Sequence, residues 1–375
     1  MTQDRYLRLI GMVLIIVSMF MSATPALAAI NPEDPYEAQA LAAPIPEVYA
    51  WNSSIAYYDN QLIYPGPDSD LKIYAYDIPT GNSAEILDLS ADPNFGFGPS
   101  GFLVSYDNYL YFLDNGNTDN IYRIDLTAAW PPTIESFSTG APGSIFAFTQ
   151  NPWTDVIWFA SADFGAGNMY LYEVNAAFDT ATQRASFAKP HGADAGNGPI
   201  IFKGATTLLY GESVYGGNGY FHLVDSTTGD VTAQDYLTFP GGLATACYGY
   251  DNVIYATSGA GYTIYEVEGA SKTQVATTDE DAQSIVFDGS SFYISEQKSS
   301  DASGAISFHK LWDPTAASGG NSGGGGGGGG GSGGCFIGTA LTDFGFQNWR
   351  SHHLMFLVAL SLGICLAAWL PASKR

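Results

Sequence analysis

The stretch YDNYLYFLDNGNTDNIYRIDL, Tyr106 to Leu126, reads as two β-strands joined by a polar turn. A relative precedes it, IAYYDNQLIYPGPDSDLKIYAYDIPTG from Ile55 to Gly81. Four looser copies follow, at Asn151 to Asn175, Gly204 to Gly229, Tyr250 to Gly269 and Asp288 to Leu311. Anchored on Tyr64, Tyr111, Trp158, Tyr210, Tyr255 and Tyr293, the copies step by 47, 47, 52, 45 and 38 residues. Self-similarity at such a period marks an architecture in which one unit cannot bury its own faces and must stack on its neighbours.

Each copy has the same physical logic. An apolar strand ends in Asp-Asn or Asp-Gly, a tight-turn signal, and a second strand follows at once (LYF, VIWF, LLYG or VIYA). A longer Gly-rich connection leads to a third strand of alternating type, IYRIDL or IYEVE, whose side chains two apart share a face. A turn such as Thr80-Gly81 or Thr228-Gly229 opens a fourth. Four short antiparallel strands per unit make a propeller blade. The expected fold is therefore all-β, a six-bladed β-propeller with four antiparallel strands per blade, plus one C-terminal transmembrane helix.

Composition agrees. Charged residues are only 13% of 375, whereas Tyr (24), Phe (22) and Gly (44) are abundant, which suits pleated half-buried surfaces and the turns between them. Five of the 13 basic residues, Arg5, Arg8, Arg350, Lys374 and Arg375, lie in the two ends, and the middle keeps eight against 35 acidic residues. Such a surface repels phosphate backbones and argues against a nucleic-acid partner. Three cysteines are too few for a disulfide framework, so the core must hold the fold, with Cys247 read as a small buried hydrophobe.

The Tyr-Asp-Asn turn and the Ile-Tyr-x-Ile-Asp third strand resemble the six-bladed propellers of the TolB-like and NHL-like class, from about Glu47 to Pro314. That resemblance implies an architecture. The class holds binding proteins, scaffolds, peptidase gates and a few hydrolases. The sixth copy offers three strands, so ring closure calls for an N-terminal edge strand, expected at Pro46 to Trp51.

The ends read as packaging. Residues 1–28 form a signal peptide, with Arg5 and Arg8 before the apolar run Leu9 to Ala23 and a small-x-small site at Ala26-Leu27-Ala28. A linker, 29–45, leads to the propeller at 46–314. A flexible Gly/Ser-rich linker at 315–334 precedes a sorting-motif and juxtamembrane segment at 335–353. Residues 354–370 form a transmembrane helix, and 371–375 a basic cytoplasmic end by the positive-inside rule. The Gly run joined to Cys335-Phe336-Ile337-Gly338-Thr339-Ala340 resembles the sorting tails of bacterial exported proteins. Cys335 then marks where a processing enzyme would cut the tail or a lipid would be attached. The domain is expected to be exported and held at the cell envelope, or released after processing.

No catalytic or metal-binding set stands out. His191, in KPHGADAG near Asp194, is the one acid–base pair worth naming, while His222 and His309 sit in third strands where core packing suffices. Calcium is the better cofactor candidate, at the Asp/Asn-rich turns Gly66 to Asp70 and Asp114 to Asn120, but neither has EF-hand spacing. Asp, Asn and Gly are ordinary turn residues, so structural turns are the expected reading and no cofactor is expected. The expected binding surface is the mouth of the central channel, where short Gly/Pro-rich segments precede each innermost strand. Its candidate residues are Ser53, Ser54, Ser100, Ser144, Asn197 and Gln283, with Phe95, Phe97, Trp153 and Tyr215 as stacking aromatics nearby. The expected function is a binding or interaction module for an extracytoplasmic protein, peptide or glycan. The alternative is a hydrolase or lyase acting on an extracellular polymer.

Overall fold

The computed structural model describes residues 30–41, 54–66, 71–92, 95–96, 98–114, 117–129, 131–163, 167–193, 195–258, 262–297 and 306–316. Two short strands lead, β1 (Ile30–Pro32) and β2 (Glu37–Ala40). Blade one is β3 (Ala56–Tyr58), β4 (Gln61–Pro65), β5 (Lys72–Asp77) and β6 (Asn82–Asp88). Blade two is β7 (Pro99–Val104), β8 (Tyr109–Asp114), β9 (Asn117–Asp125) and β10 (Ile134–Ser138). Blade three is β11 (Ser144–Gln150), β12 (Ile157–Asp163), β13 (Asn168–Val174) and β14 (Ala181–Ala188). Blade four is β15 (Gly196–Phe202), β16 (Thr207–Ser213), β17 (Gly219–Asp225) and β18 (Val231–Phe239). Blade five is β19 (Thr245–Tyr248), β20 (Ile254–Ser258), β21 (Thr263–Glu268) and β22 (Ser271–Thr278). Blade six supplies β23 (Asp281–Phe287), β24 (Phe292–Gln297) and β25 (Ile306–Trp312).

Apart from β1 and β2, strand order within each sheet follows the chain, and neighbours pair antiparallel. The first strands touch in sequence, β3 to β7, β7 to β11, β11 to β15, β15 to β19 and β19 to β23, and β23 returns to β3. The molecule is thus a closed six-bladed propeller. Its hairpins carry the chemistry their sequence announces. Asp59 and Asn60 are both left-handed, at φ 44° and 62°, and so are Asp251 and Asn252 at 53° and 60°, as a tight hairpin turn requires. In the turns after third strands, Asp77 Oδ1 accepts the Thr80 amide and Asp225 Oδ1 the Thr227 amide, each at 2.8 Å.

The six anchor aromatics are all buried, and they join blades. Trp158 meets Phe202 edge-on at 5.3 Å between blades three and four, and Tyr210 meets Phe187 at 5.3 Å across the same seam. Tyr255 meets Phe292 at 4.3 Å, and Tyr64 meets Phe308 at 5.4 Å across the seam where the ring closes. Each such pair adds about 0.5–1.5 kcal/mol beyond its buried area.

Closure comes from an earlier stretch than expected. The outer strand of blade six is β2, in register from Glu37 opposite Trp312 to Ala40 opposite His309. β1 adds a fifth strand to blade five, with Ile30 opposite Thr278. The segment expected to be linker therefore carries both closing strands, while 46–51 lies outside the described residues. The sequence Glu-Ala-Gln-Ala has little strand propensity of its own and three of its four residues are exposed. It is a strand because β25 offers an unpaired edge, and Leu41 extends the contact by donating to Phe308 O at 2.9 Å and accepting from the Tyr76 hydroxyl at 2.7 Å.

Among the described residues no helix is long and apolar enough to cross a membrane. The expected signal segment at 1–28, the Gly/Ser run, Cys335 and the apolar run at 354–370 lie outside those residues.

Candidate functional site

Consecutive antiparallel strands fix which loops share a face of the ring. The loops inside β16–β17 and β20–β21 lie on the same face as the blade-to-blade connections, and the β11–β12 turn lies on the opposite one. On the first face, between blades three and four, side chains from four separate segments converge.

Two of them are set by the β16–β17 register. Tyr210 lies opposite His222, and Glu212 lies opposite Tyr220, so all four share the buried face turned toward blade three. Gly211 separates Tyr210 from Glu212, and a Cβ there would stand 2.7 Å from Pro199 Cδ, so close packing on β15 requires glycine. Tyr210, Glu212 and His222 are fully buried. The Tyr210 hydroxyl donates to Glu212 Oε1 at 3.2 Å. Burial, and next the adjacent Glu212, hold that phenol well above its ordinary value, so it remains a donor.

The third side chain comes from a bulge. Phe221 pairs with Leu237 and Leu223 with Ala233, so three residues of β18 face the single residue His222. In that bulge Asp235 is left-handed at φ 51°. Its backbone N–H donates to His222 Nδ1 at 3.0 Å, and its Oδ1 lies 3.6 Å from the same nitrogen. An accepting Nδ1 places the proton of neutral His222 on Nε2, which lies 3.2 Å from Glu212 Oε2 without an aligned hydrogen bond.

The fourth comes from the connection between β14 and β15. The His191 backbone N–H donates to Glu212 Oε2 at 3.1 Å, and its Nε2 lies 2.8 Å from Asp235 Oδ1. The ring stacks on Tyr220 at 4.3 Å. His191 and Asp235 are partly exposed, at 21% and 41%, so the chain His191–Asp235–His222–Glu212 runs from solvent to the sealed interior. Such a chain can relay protons or hold a cation. Among the described residues, His191, His222 and Asp235 are the one group of three His, Cys, Asp or Glu whose ligand atoms all lie within 4.8 Å of one another.

Sequence reasoning found His191 and gave it Asp194. The partner seen here is Asp235, and Asp194 lies outside the described residues. Lys189 is buried with its ammonium on the Ala195 carbonyl, and Asp281 belongs to β23, two blades away. A legible signal for the rest existed in the strand pattern. Glu212 is two residues from an anchor tyrosine, hence on the buried face, where a carboxyl needs a partner.

The expected channel-mouth residues lie at the starts of inner strands. Ser54 is 2% exposed, and its Oγ accepts the Gly101 amide at 3.0 Å, a stitch between blades one and two. Ser100 is the second residue of β7 and is buried, Ser144 opens β11, and Gln283 lies in β23 with partial exposure. Asn197 is 1% exposed, pairs in register with Glu212, and has neither amide atom hydrogen-bonded. Ser53 lies outside the described residues, as do Phe97 and residues 67–70 and 115–116 of the two Asp/Asn-rich turns. Of the stacking aromatics, Trp153 and Tyr215 are exposed, whereas Phe95 is buried edge-on against Tyr122 at 5.1 Å. Its position between two core aromatics explains the difference.

No protein-family profile matches the chain. No curated protein matches it either. Among solved structures, a catalytically inactive variant of virginiamycin B lyase from Staphylococcus aureus with quinupristin is similar at 13% identity, over 74% of this chain and 99% of that one, with a TM-score of 0.45. The β-propeller domain of Cps50 (Swd1) from Myceliophteria thermophila is similar at 12% identity, over 72% and 99%, with a TM-score of 0.42. The fold assignment rests on the six sheets and their closed ring.

Proposed function

We propose that the chain is an exported, envelope-anchored propeller of the TolB-like and NHL-like kind that acts as a binding module for an extracytoplasmic protein, peptide or glycan. The carrying observation is the placement of exposed apolar side chains. Among the described residues the exposed large hydrophobics are Trp153, Val214, Tyr215 and Tyr262. Three of these four lie in the β16–β17 and β20–β21 loops of adjacent blades, on the face that also holds His191. Tyr215 is 73% exposed and Tyr262 is left-handed at φ 49°, so neither position is explained by core packing. Two exposed tyrosines on one face of a strongly acidic domain suit stacking on sugar rings or capture of a basic peptide. The leader at 1–28 and the tail from 315 onward support export and tethering.

The test is glycan-array binding by the full chain in detergent, compared with the Tyr215→Ala/Tyr262→Ala variant. Binding lost in the double variant is expected, and binding indifferent to it would refute the aromatic face. A hydrolase or lyase acting on an extracellular polymer is the second reading, favoured by the His191–Asp235–His222–Glu212 chain on that face. Shortening of the bound polymer, read by mass spectrometry of the same incubation, would select it.

A further inference from the structure

We propose that His191, His222 and Asp235 form a binding site for a divalent transition metal of the zinc class, with Glu212 as the outer carboxyl that orients His222. The inference stands independently of the proposed binding face. Two imidazoles and one carboxyl are the donor types that such ions take when one position stays open. A tetrahedral ion with bonds near 2 Å wants donors about 3.3 Å apart. His222 Nδ1 and Asp235 Oδ1 are 3.6 Å apart, and His191 Nε2 and Asp235 Oδ1 are 2.8 Å apart, so the donors bracket that spacing.

The surroundings of His222 carry the argument further. Its Nδ1 is already the unprotonated nitrogen, because it accepts the Asp235 amide. Its Nε2 is buried, lacks an aligned partner, and lies beside a carboxyl at 3.2 Å. A ligating histidine characteristically donates its second ring N–H to a carboxyl, which fixes tautomer and ring plane. Glu212 is held for that role by the Tyr210 hydroxyl and the His191 amide. The Asp235 amide occupies the Nδ1 lone pair and the His191–Asp235 bond closes the outer side. Loading the ion requires the β18 bulge to release that amide and the His222 ring to tilt, which aligns Nε2–H with Glu212. Asn197, in register with Glu212 and with both amide atoms unbonded, adds polar capacity to the same buried floor.

The test is calorimetric titration of the full chain in detergent with Zn2+ alone, and Co2+ alone read by its visible absorption. Because Cys335, His352 and His353 could bind the same ions, all measurements use a Cys335→Ser/His352→Ala/His353→Ala background. One saturable site per chain is expected. His191→Ala, on a partly exposed loop, and Asp235→Gly, which keeps the left-handed bulge, should each weaken it by roughly 100-fold. Glu212→Gln should weaken it by about 10–100-fold. Circular dichroism and urea midpoints of the His191→Ala and Asp235→Gly chains confirm that they fold. No saturable site in the background chain, or affinity unchanged in either variant, overturns the proposal.

Discussion

Blades four and six carry the same diagonal and use it differently. In each, a histidine on the third strand lies opposite a second-strand residue that precedes a glutamate by two positions. His222 is opposite Tyr210 beside Glu212, and His309 is opposite Ile294 beside Glu296. All four side chains are buried, and the His–Glu distances are 3.2 and 3.4 Å. In blade four the outer strand bulges, a connection folds in, and Glu212 gains two donors. In blade six the outer strand is β2, which runs past His309 in regular register with Ala40 opposite. There both Glu296 oxygens and His309 Nε2 lack hydrogen bonds. Burial, reinforced by Asp279 and Glu280, pushes Glu296 up to about 9, and burial, against Asp279, pushes His309 down to about 4. The blade-six pair is therefore two neutral groups at neutral pH. What surrounds a buried pair decides its chemistry, and the surroundings here differ because one blade is continuous and the other is completed by the N-terminus.

That dependence gives the largest expected effect. An in-frame deletion of residues 30–41 removes β1 and β2, leaves β22 and β25 as open edges, and takes away the Tyr36 hydroxyl that bonds Tyr255 and Glu266 at 2.9 Å each. The deleted chain should fail to give a cooperative urea transition and should aggregate through the exposed edges. A deletion variant that unfolds at the wild-type midpoint would show that closure contributes little.

Substitution of the two glutamates separates the blades next. Glu212→Leu strands the Tyr210 hydroxyl and the His191 amide around an apolar side chain and should cost about 3–5 kcal/mol in urea unfolding. Glu296→Leu removes a group with no hydrogen bonds and should be neutral or stabilising by roughly 1–3 kcal/mol. Equal costs in the two blades would erase the distinction.

The pH dependence follows with its sign. Glu296 is raised from its ordinary 4.5 to about 9, so the stability tied to its neutral form is full below pH 4.5 and is lost as pH rises toward 9. His309 is lowered from 6.5 to about 4, so its contribution is present above pH 6.5 and is lost as pH falls through 4. The two slopes offset between 4.5 and 6.5, which leaves a net fall from pH 6.5 to 9. At about 1.4 kcal/mol per pKa unit, that fall is roughly 3 kcal/mol. Urea unfolding across that range should show it in the wild type, and Glu296→Gln should lack it.

The ring was legible because its signals are local. Asp59-Asn60 and Asp251-Asn252 announce left-handed hairpin turns, and the anchor aromatics at blade spacing announce what joins the sheets. The closing strand was displaced because Glu37–Ala40 is a strand only by virtue of the edge it meets. The blade-four cluster was missed for a related reason. Strict alternation places Gln234 to Tyr236 along β18, and nothing in that pattern shows that three residues face His222 there. His191 and Asp235 stand 44 residues apart and meet through the bulge alone.

The smallest effect tests that bulge against its regular counterpart. Asp235 and Ala40 occupy matching places beside His222 and His309, the first left-handed and the second in an even ladder. Glycine at Asp235 relieves a conformation that an L side chain adopts at a cost, while giving up a partly exposed bond to His191 and some unfolded-chain entropy. These terms nearly cancel, so Asp235→Gly should shift stability by less than about 0.5 kcal/mol. Glycine at Ala40 gains no such relief and should cost about 0.5–1 kcal/mol. Paired urea midpoints measure the difference. If Asp235→Gly loses as much as Ala40→Gly, the left-handed bulge is not what sets blade four apart, and the His191–Asp235 bond holds the cluster together instead.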